Sequence, residues 1–243
     1  MSGLFQHLLQ WGPRLLRGAE ITVIITVVTM ILGSLWGLLL GLLRIARIPG
    51  VHQLLIVYVE IFRGLPTIVV LFIVFFGLPS VGFTISNNPI IVGTVGLSLS
   101  LGAYLSEVFR AAILAVDAGQ MEAALSIGMS RRESYQKIVL PQAFVIAVPT
   151  LGSFFIGLLK DTSLLSFIAV SELMETGNEI NAATFLSFQV YLIVGAIYIV
   201  LSIIASRLVI IVERKLRPLE ERYLGKAAKE LRVELPPDMW ART

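Results

Sequence analysis

From Ile21 to Leu43 the chain carries no charged residue. A stretch of about twenty such residues matches the hydrocarbon core of a bilayer. In lipid every backbone N–H and C=O must find a partner within protein, which leaves helices or a closed barrel as spanning structures. Four further apolar stretches follow, Val51 to Phe76, Ile90 to Val116, Gln142 to Leu159 and Phe185 to Val212. With 56% hydrophobic and 14% charged residues, and a mean hydropathy of +0.88 over 243 residues, a soluble globular domain is excluded. The expected fold class is all-α integral membrane, with five transmembrane helices. Residues 20–212 form one membrane domain between a lead at 1–19 and a charged tail at 213–243. Leu4, Leu8, Trp11 and Leu15 recur at helical spacing in that lead, which suits an interfacial helix. Gly33, Gly37 and Gly41 in the first span keep the small-xxx-small spacing of close helix packing.

An odd number of spans puts the termini on opposite faces, and positive charge decides which. Arg44 and Arg47, then Arg131, Arg132 and Lys137, then Arg214, Lys215 and Arg217 share one side. Gly77 to Pro89 has no charge, and Asp161 to Thr184 has only acidic ones. The tail is therefore expected in the cytoplasm and the N-terminus outside, although Arg14 and Arg17 run against the rule. The net charge of +3 and pI near 9.3 come from these flanking residues, not from one patch, so nucleic acid is not an expected partner. Absence of cysteine excludes disulfides and thiol chemistry. His7 and His52 stand apart, no phosphate-binding glycine loop precedes a Lys-Ser or Lys-Thr, and the acidic residues lack metal-ligand spacing. No secretory signal peptide is evident in the first twenty residues. The chain is read as a non-enzyme with neither a metal nor a cofactor of its own.

Three polar features interrupt the apolar pattern. Asp117 to Pro141 reads as a helical hairpin. Asp117, with Gln120 reaching back, caps a first helix that Gly128 ends in a left-handed turn; Ser130 and Glu133 open a second helix, which Pro141 breaks or restarts. Met121, Leu125 and Met129 form one stripe of the first helix, a surface suited to docking in a groove. Inside the second span lies Glu60-Ile-Phe-Arg63-Gly64-Leu65-Pro66-Thr67, where proline removes a donor and glycine loosens the helix. An unwound turn there, with Arg63, suits a carboxylate ligand; a plain kink with a Glu60–Arg63 ion pair is the other reading. Lys160-Asp161-Thr162-Ser163 ends the fourth span, either as a site, as a snorkelling helix end, or as the cap of a following helix. If that span is helical, Phe154, Gly157 and Leu158 share a face with Asp161.

Glu122-Ala123-Ala124, three residues, Gly128, nine residues, then Ile138-x-Leu140-Pro141 resembles the EAA signature of ABC-transporter inner-membrane permeases. Arg63-Gly64-Leu65-Pro66, Ser106-Glu107 with Arg110, Gly119-Gln120-Met121 and Lys160-Asp161-Thr162-Ser163-Leu164 resemble the polar amino-acid branch of those permeases, over nearly the whole chain from Leu15 to Arg217. The resemblance implies a five-span MetI-like fold and a cytoplasmic-membrane permease. Its implied partners are a second copy or sister permease, an ABC ATPase dimer that holds ATP and magnesium, an extracytoplasmic solute-binding protein and membrane lipid. It also implies an amino-acid substrate bound near Arg63, Gly64, Leu65, Pro66, Thr67, Asp161, Thr162 and Ser163, its side chain read by Phe154 and Gly157. The hairpin becomes the coupling element: Glu122 caps or pairs, Ala123 and Ala124 permit close approach, Gly128 sets the turn and Arg131 follows it. None of the Asp161-face residues is a second acid, unlike relatives that handle cationic amino acids, which favours a neutral, acidic or bulky substrate. The alternatives are a non-transporting scaffold bound to an ABC ATPase, or an importer of another solute.

Overall fold

The computed structural model describes the backbone of residues 2–233 and the side chains of residues 10–216, and every regular element among them is helical. α1 (Ser2–Ala46) is one unbroken helix, so the lead is continuous with the first span and does not form a separate surface helix. Trp11, Leu15 and Ala19 are buried in a cluster with Leu173, Ile180, Val190, Ile193 and Val194. Leu4 and Leu8 lie outside the described side chains. α2 (Val51–Gly64) and α3 (Thr67–Phe72) meet at an angle of 110°. α3 passes through a widened turn at Ile73–Gly77 into the short α4 (Leu78–Ser80), so the second span extends beyond Phe76 into what the sequence suggests is loop. α5 (Pro89–Leu114) follows. Among the described residues four helices are long and apolar enough to cross a membrane, and there are five spans when the bent pair formed by α2 and the segment Thr67–Ser80 is counted as one.

The remaining elements are α6 (Ala118–Ser126), α7 (Arg131–Ser134), α8 (Leu140–Asp161), a 3-10 turn at Thr162–Ile168, α9 (Leu173–Thr184) and α10 (Ser187–Val233). Pro141 does not break the chain's helical course: α7 runs through a widened turn at Tyr135–Val139 into α8. The turn absorbs the proline's missing donor, and the buried Gln142 side chain donates to the Ile138 carbonyl at 3.0 Å. Pro149 also lies within α8 without ending it. Phe185 is not the first residue of the last span: it closes α9 at φ 57°. α10 then runs past Val212 into the tail, whose Pro236 and Pro237 lie outside the described residues.

The contacts group into two compact units, Met1–Arg110 with Leu151–Ser206 and Ala111–Thr150 with Arg207–Thr243. In the first, α1 lies close against α5. A Cβ on Gly33 would stand 2.7 Å from Leu101 Cδ2, on Gly37 2.9 Å from the Gly102 carbonyl oxygen, and on Gly41 3.0 Å from that of Ser106. The glycine stripe is thus a packing seam, as its spacing predicts. A second tie is Glu172, at 0% exposure. Its carboxylate caps α9 by accepting from the Glu175 N–H at 2.9 Å, and accepts from Thr22 Oγ1 of α1 at 3.1 Å and Tyr198 OH of α10 at 2.8 Å. Burial raises its pKa, against the hydrogen bonds that lower it.

Gly37→Leu is expected to cost about 2 kcal/mol or more through the backbone contact it forces. It should lower the thermal midpoint of the detergent-purified protein, whereas the same exchange at Gly195, whose Cβ meets nothing within 4 Å, should change it little. Glu172→Leu strands the donors of Thr22, Tyr198 and Glu175 and should cost about 3 kcal/mol, while Glu172→Gln should cost far less. Because the folded pKa of Glu172 is raised, its contribution to stability is fullest below the ordinary carboxylate range and declines as pH rises through the folded value. Denaturation across pH should show that slope in the wild type and not in Glu172→Gln.

Candidate functional site

The 110° break is made by two residues. Leu65 is extended (φ −86°, ψ 139°) and Pro66 follows at φ −57°, ψ 137°, since the residue before a proline avoids the helical region. The helix after the break restarts on the Pro66 carbonyl, which accepts from Val69 and Val70 N–H at 2.9 and 3.2 Å. The Arg63 carbonyl, left without a helical donor, accepts from Tyr104 OH of α5 at 3.1 Å. The Arg63 guanidinium in turn sits 5.8 Å from the Tyr104 ring centroid, a cation–π distance. Glu60 and Arg63 form no ion pair, so that reading of the motif does not hold; Arg63 is held to α5 instead.

Beside the break lies a cavity of about 390 Å³, in the size range of small-molecule sites. α3 contributes Thr67, while Leu97, Ser100, Leu101 and Tyr104 come from α5. From α8 come Ser153, Phe154, Gly157, Leu158 and Asp161. Thr67, Phe154, Gly157 and Asp161, singled out from the sequence, therefore line one space, with the Phe154 ring 6.1 Å from that of Tyr104. Gly157 leaves its position open: a Cβ there would meet nothing within 4 Å. Asp161 makes no side-chain cap to the 3-10 turn, so the capping reading does not hold, and its carboxylate forms no ion pair, with Lys160 as its neighbouring charge. Gly64, Leu65 and Pro66 shape the break without lining the cavity. Thr162 and Ser163 do not line it either, because their hydroxyls donate to the carbonyls of Leu159 and Lys160 at 2.8 and 2.7 Å.

The α5 wall was legible only in part. Leu97, Ser100, Leu101 and Tyr104 fall at i, i+3, i+4 and i+7, one face of a helix, but their mixed chemistry hides the stripe among ordinary apolar packing. Further along α5, Glu107 bonds both Arg110 on its own helix and Arg44 of α1, the latter at 2.8 Å. These charges pair with one another apart from the cavity lining.

The hairpin belongs to the second compact unit. Asp117 Oδ1 accepts from the Gly119 N–H at 2.7 Å, while the Gln120 contact to the cap is its backbone N–H on the Asp117 carbonyl, not its side chain. Gly128 stands at φ 84°, and the bonds Gly128 N–H to Leu125 O and Met129 N–H to Ala124 O close a Schellman turn. Ser130 and Glu133 form the reciprocal capping box. Glu122, Ala123, Gly128 and Arg131 are exposed. Ala124 is buried, so it serves the hairpin's own packing and offers no outward surface.

A family model described as the inner membrane component of binding-protein-dependent transport systems matches residues 33–218. The probable amino-acid permease protein YxeN of Bacillus subtilis (strain 168) is 41% identical over 203 residues, which cover 83% of this chain and 91% of that protein. A crystal structure of an amino acid ABC transporter with histidines shares 32% identity at a TM-score of 0.80, covering 87% of this chain and 98% of that one. The inward-facing MetNI methionine ABC transporter, 21% identical at a TM-score of 0.66 over 83% of this chain and 94% of its own, shares the fold. The helical architecture, the spans and these matches agree that the chain belongs to the family of multi-pass inner-membrane components of binding-protein-dependent transport systems.

Proposed function

We propose that this chain is the permease subunit of an ABC importer that carries a polar amino acid inward across the cytoplasmic membrane. The observation that carries this reading is the cavity at the broken span, which the Asp161 carboxylate lines, while the cationic Arg63 stands outside the lining, held over the ring of the lining residue Tyr104. Asp161 takes the α-ammonium group, and Arg63 with Thr67, where the helix restarts, takes the α-carboxylate. The amino-acid permease and transporter among the similar proteins support that substrate class.

Translocation draws its energy from ATP and magnesium on a partner ATPase dimer, on which the exposed hairpin residues Glu122, Ala123, Gly128 and Arg131 seat. An extracytoplasmic binding protein delivers the amino acid, and a second copy or sister permease completes the membrane pathway. The N-terminus lies outside and the tail in the cytoplasm, following the positive charge. Access alternates between the two sides as the ATPase dimer closes and opens.

Asp161→Ala should reduce uptake in proteoliposomes by about a hundredfold or more, since it leaves the ammonium group unpaired, with the complex still eluting intact. Undiminished uptake would remove Asp161 from the site. Gly128→Val forces a β-branched residue to φ 84°, at a local cost of about 1–2 kcal/mol. The expected result is ATP hydrolysis that no longer tracks uptake; coupled turnover at wild-type stoichiometry overturns the hairpin's role.

A further inference from the structure

Along α5 the hydroxyl side chains mostly satisfy themselves. Thr94 donates to the Ile90 carbonyl at 2.6 Å, Ser98 to that of Thr94 at 2.7 Å and Ser106 to that of Ala103 at 2.7 Å. This local bond is the usual refuge of a hydroxyl in an apolar helix. Ser100 departs from it. The residue is 3% exposed and lines the cavity, yet its Oγ makes no hydrogen bond. Its hydroxyl opens instead onto the space that Asp161 and Thr67 also line, where it can donate to or accept from an occupant.

The rest of the wall carries no charge. Beyond Asp161 the lining consists of Leu97, Leu101, Leu158 and Phe154 with the hydroxyl groups of Ser100, Tyr104, Ser153 and Thr67. Once the α-ammonium is on Asp161 and the α-carboxylate on Arg63, which stands outside the lining, no charged group of the lining itself remains for a substrate side chain. A cationic side chain would lack a counter-charge, and an acidic one would add a second negative charge beside Asp161; both would be desolvated against leucine and phenylalanine. An uncharged side chain with a hydrogen-bonding group meets both halves of the wall.

We propose that the cavity selects zwitterionic amino acids whose side chain is uncharged and hydrogen-bonding, and that Ser100 is the residue that reads that side chain. The inference rests on the amino-acid reading of the site and narrows it. Glutamine, leucine, glutamate and arginine, each radiolabelled, are titrated onto the complex of this chain with its ATPase in lipid nanodiscs, without binding protein, so that the membrane cavity alone discriminates. Glutamine should bind at least about tenfold more tightly than glutamate or arginine, the discrimination expected for an uncompensated charge. Ser100→Ala should weaken glutamine about fivefold, the value of one neutral hydrogen bond, and leave leucine within about twofold. Glutamate or arginine binding as tightly as glutamine overturns the substrate class. Equal weakening of glutamine and leucine by Ser100→Ala overturns the role of Ser100. Absence of binding by all four, with the complex intact, overturns the amino-acid reading beneath both.

Discussion

A span that stops partway leaves carbonyls which lipid cannot satisfy, and the site described above depends on how that demand is met. Pro66 cannot donate to the turn before it, so α2 ends and a new helix begins at 110°. The stranded Arg63 carbonyl is taken by Tyr104, whose ring then lies under the Arg63 guanidinium. One side chain on α5 thereby fixes the broken backbone, holds the Arg63 cation and forms part of the cavity wall. The cavity follows from the break, since the turn of the chain away from a straight course leaves space between α3, α5 and α8 that side chains do not fill.

Such a bent element needs a rigid surround, and two kinds of contact provide it. The seam of Gly33, Gly37 and Gly41 lets the backbone of α1 reach that of α5, trading side-chain volume for close approach where the hydrophobic effect gives helices no preference for one another. Glu172 works by the opposite means, gathering donors from three helices onto one buried carboxylate. A fully buried acid is tolerated because each of its oxygens is engaged. The two devices stand on different parts of α1, and together they leave α3 and α8 as the less encumbered walls of the cavity.

Much of this was written in the sequence in a form that local rules can read. The apolar runs, the Gly-xxx-Gly spacing, the Ser130–Glu133 box and the left-handed Gly128 are short-range patterns, and the helix ends and turns appear where those patterns put them. Arg63, Pro66 and Asp161 stood out because charge and proline are rare in a bilayer. What stayed hidden was of two kinds. Pro141 looks like a stop to any local rule, yet one extra residue per turn at Tyr135–Val139 lets the helix pass. Tyr104, Ser100 and the Glu172 knot depend on partners 26 to 150 residues of chain away or on an absent partner, and neither is visible in a window of sequence. Thr162 and Ser163 show the converse: polar residues next to a site that spend their hydroxyls on their own helix.

Gly157 gives the cavity an unusual evolutionary freedom. An added Cβ there would meet no atom within 4 Å, so a methyl group can be added without displacing the frame. Each added carbon subtracts from the room available to cargo and leaves Asp161 and Arg63 in place. A lineage carrying this architecture can therefore drift between bulky and slender cargoes by single codon changes that are nearly silent for folding. Size preference and structural integrity are in this way inherited separately.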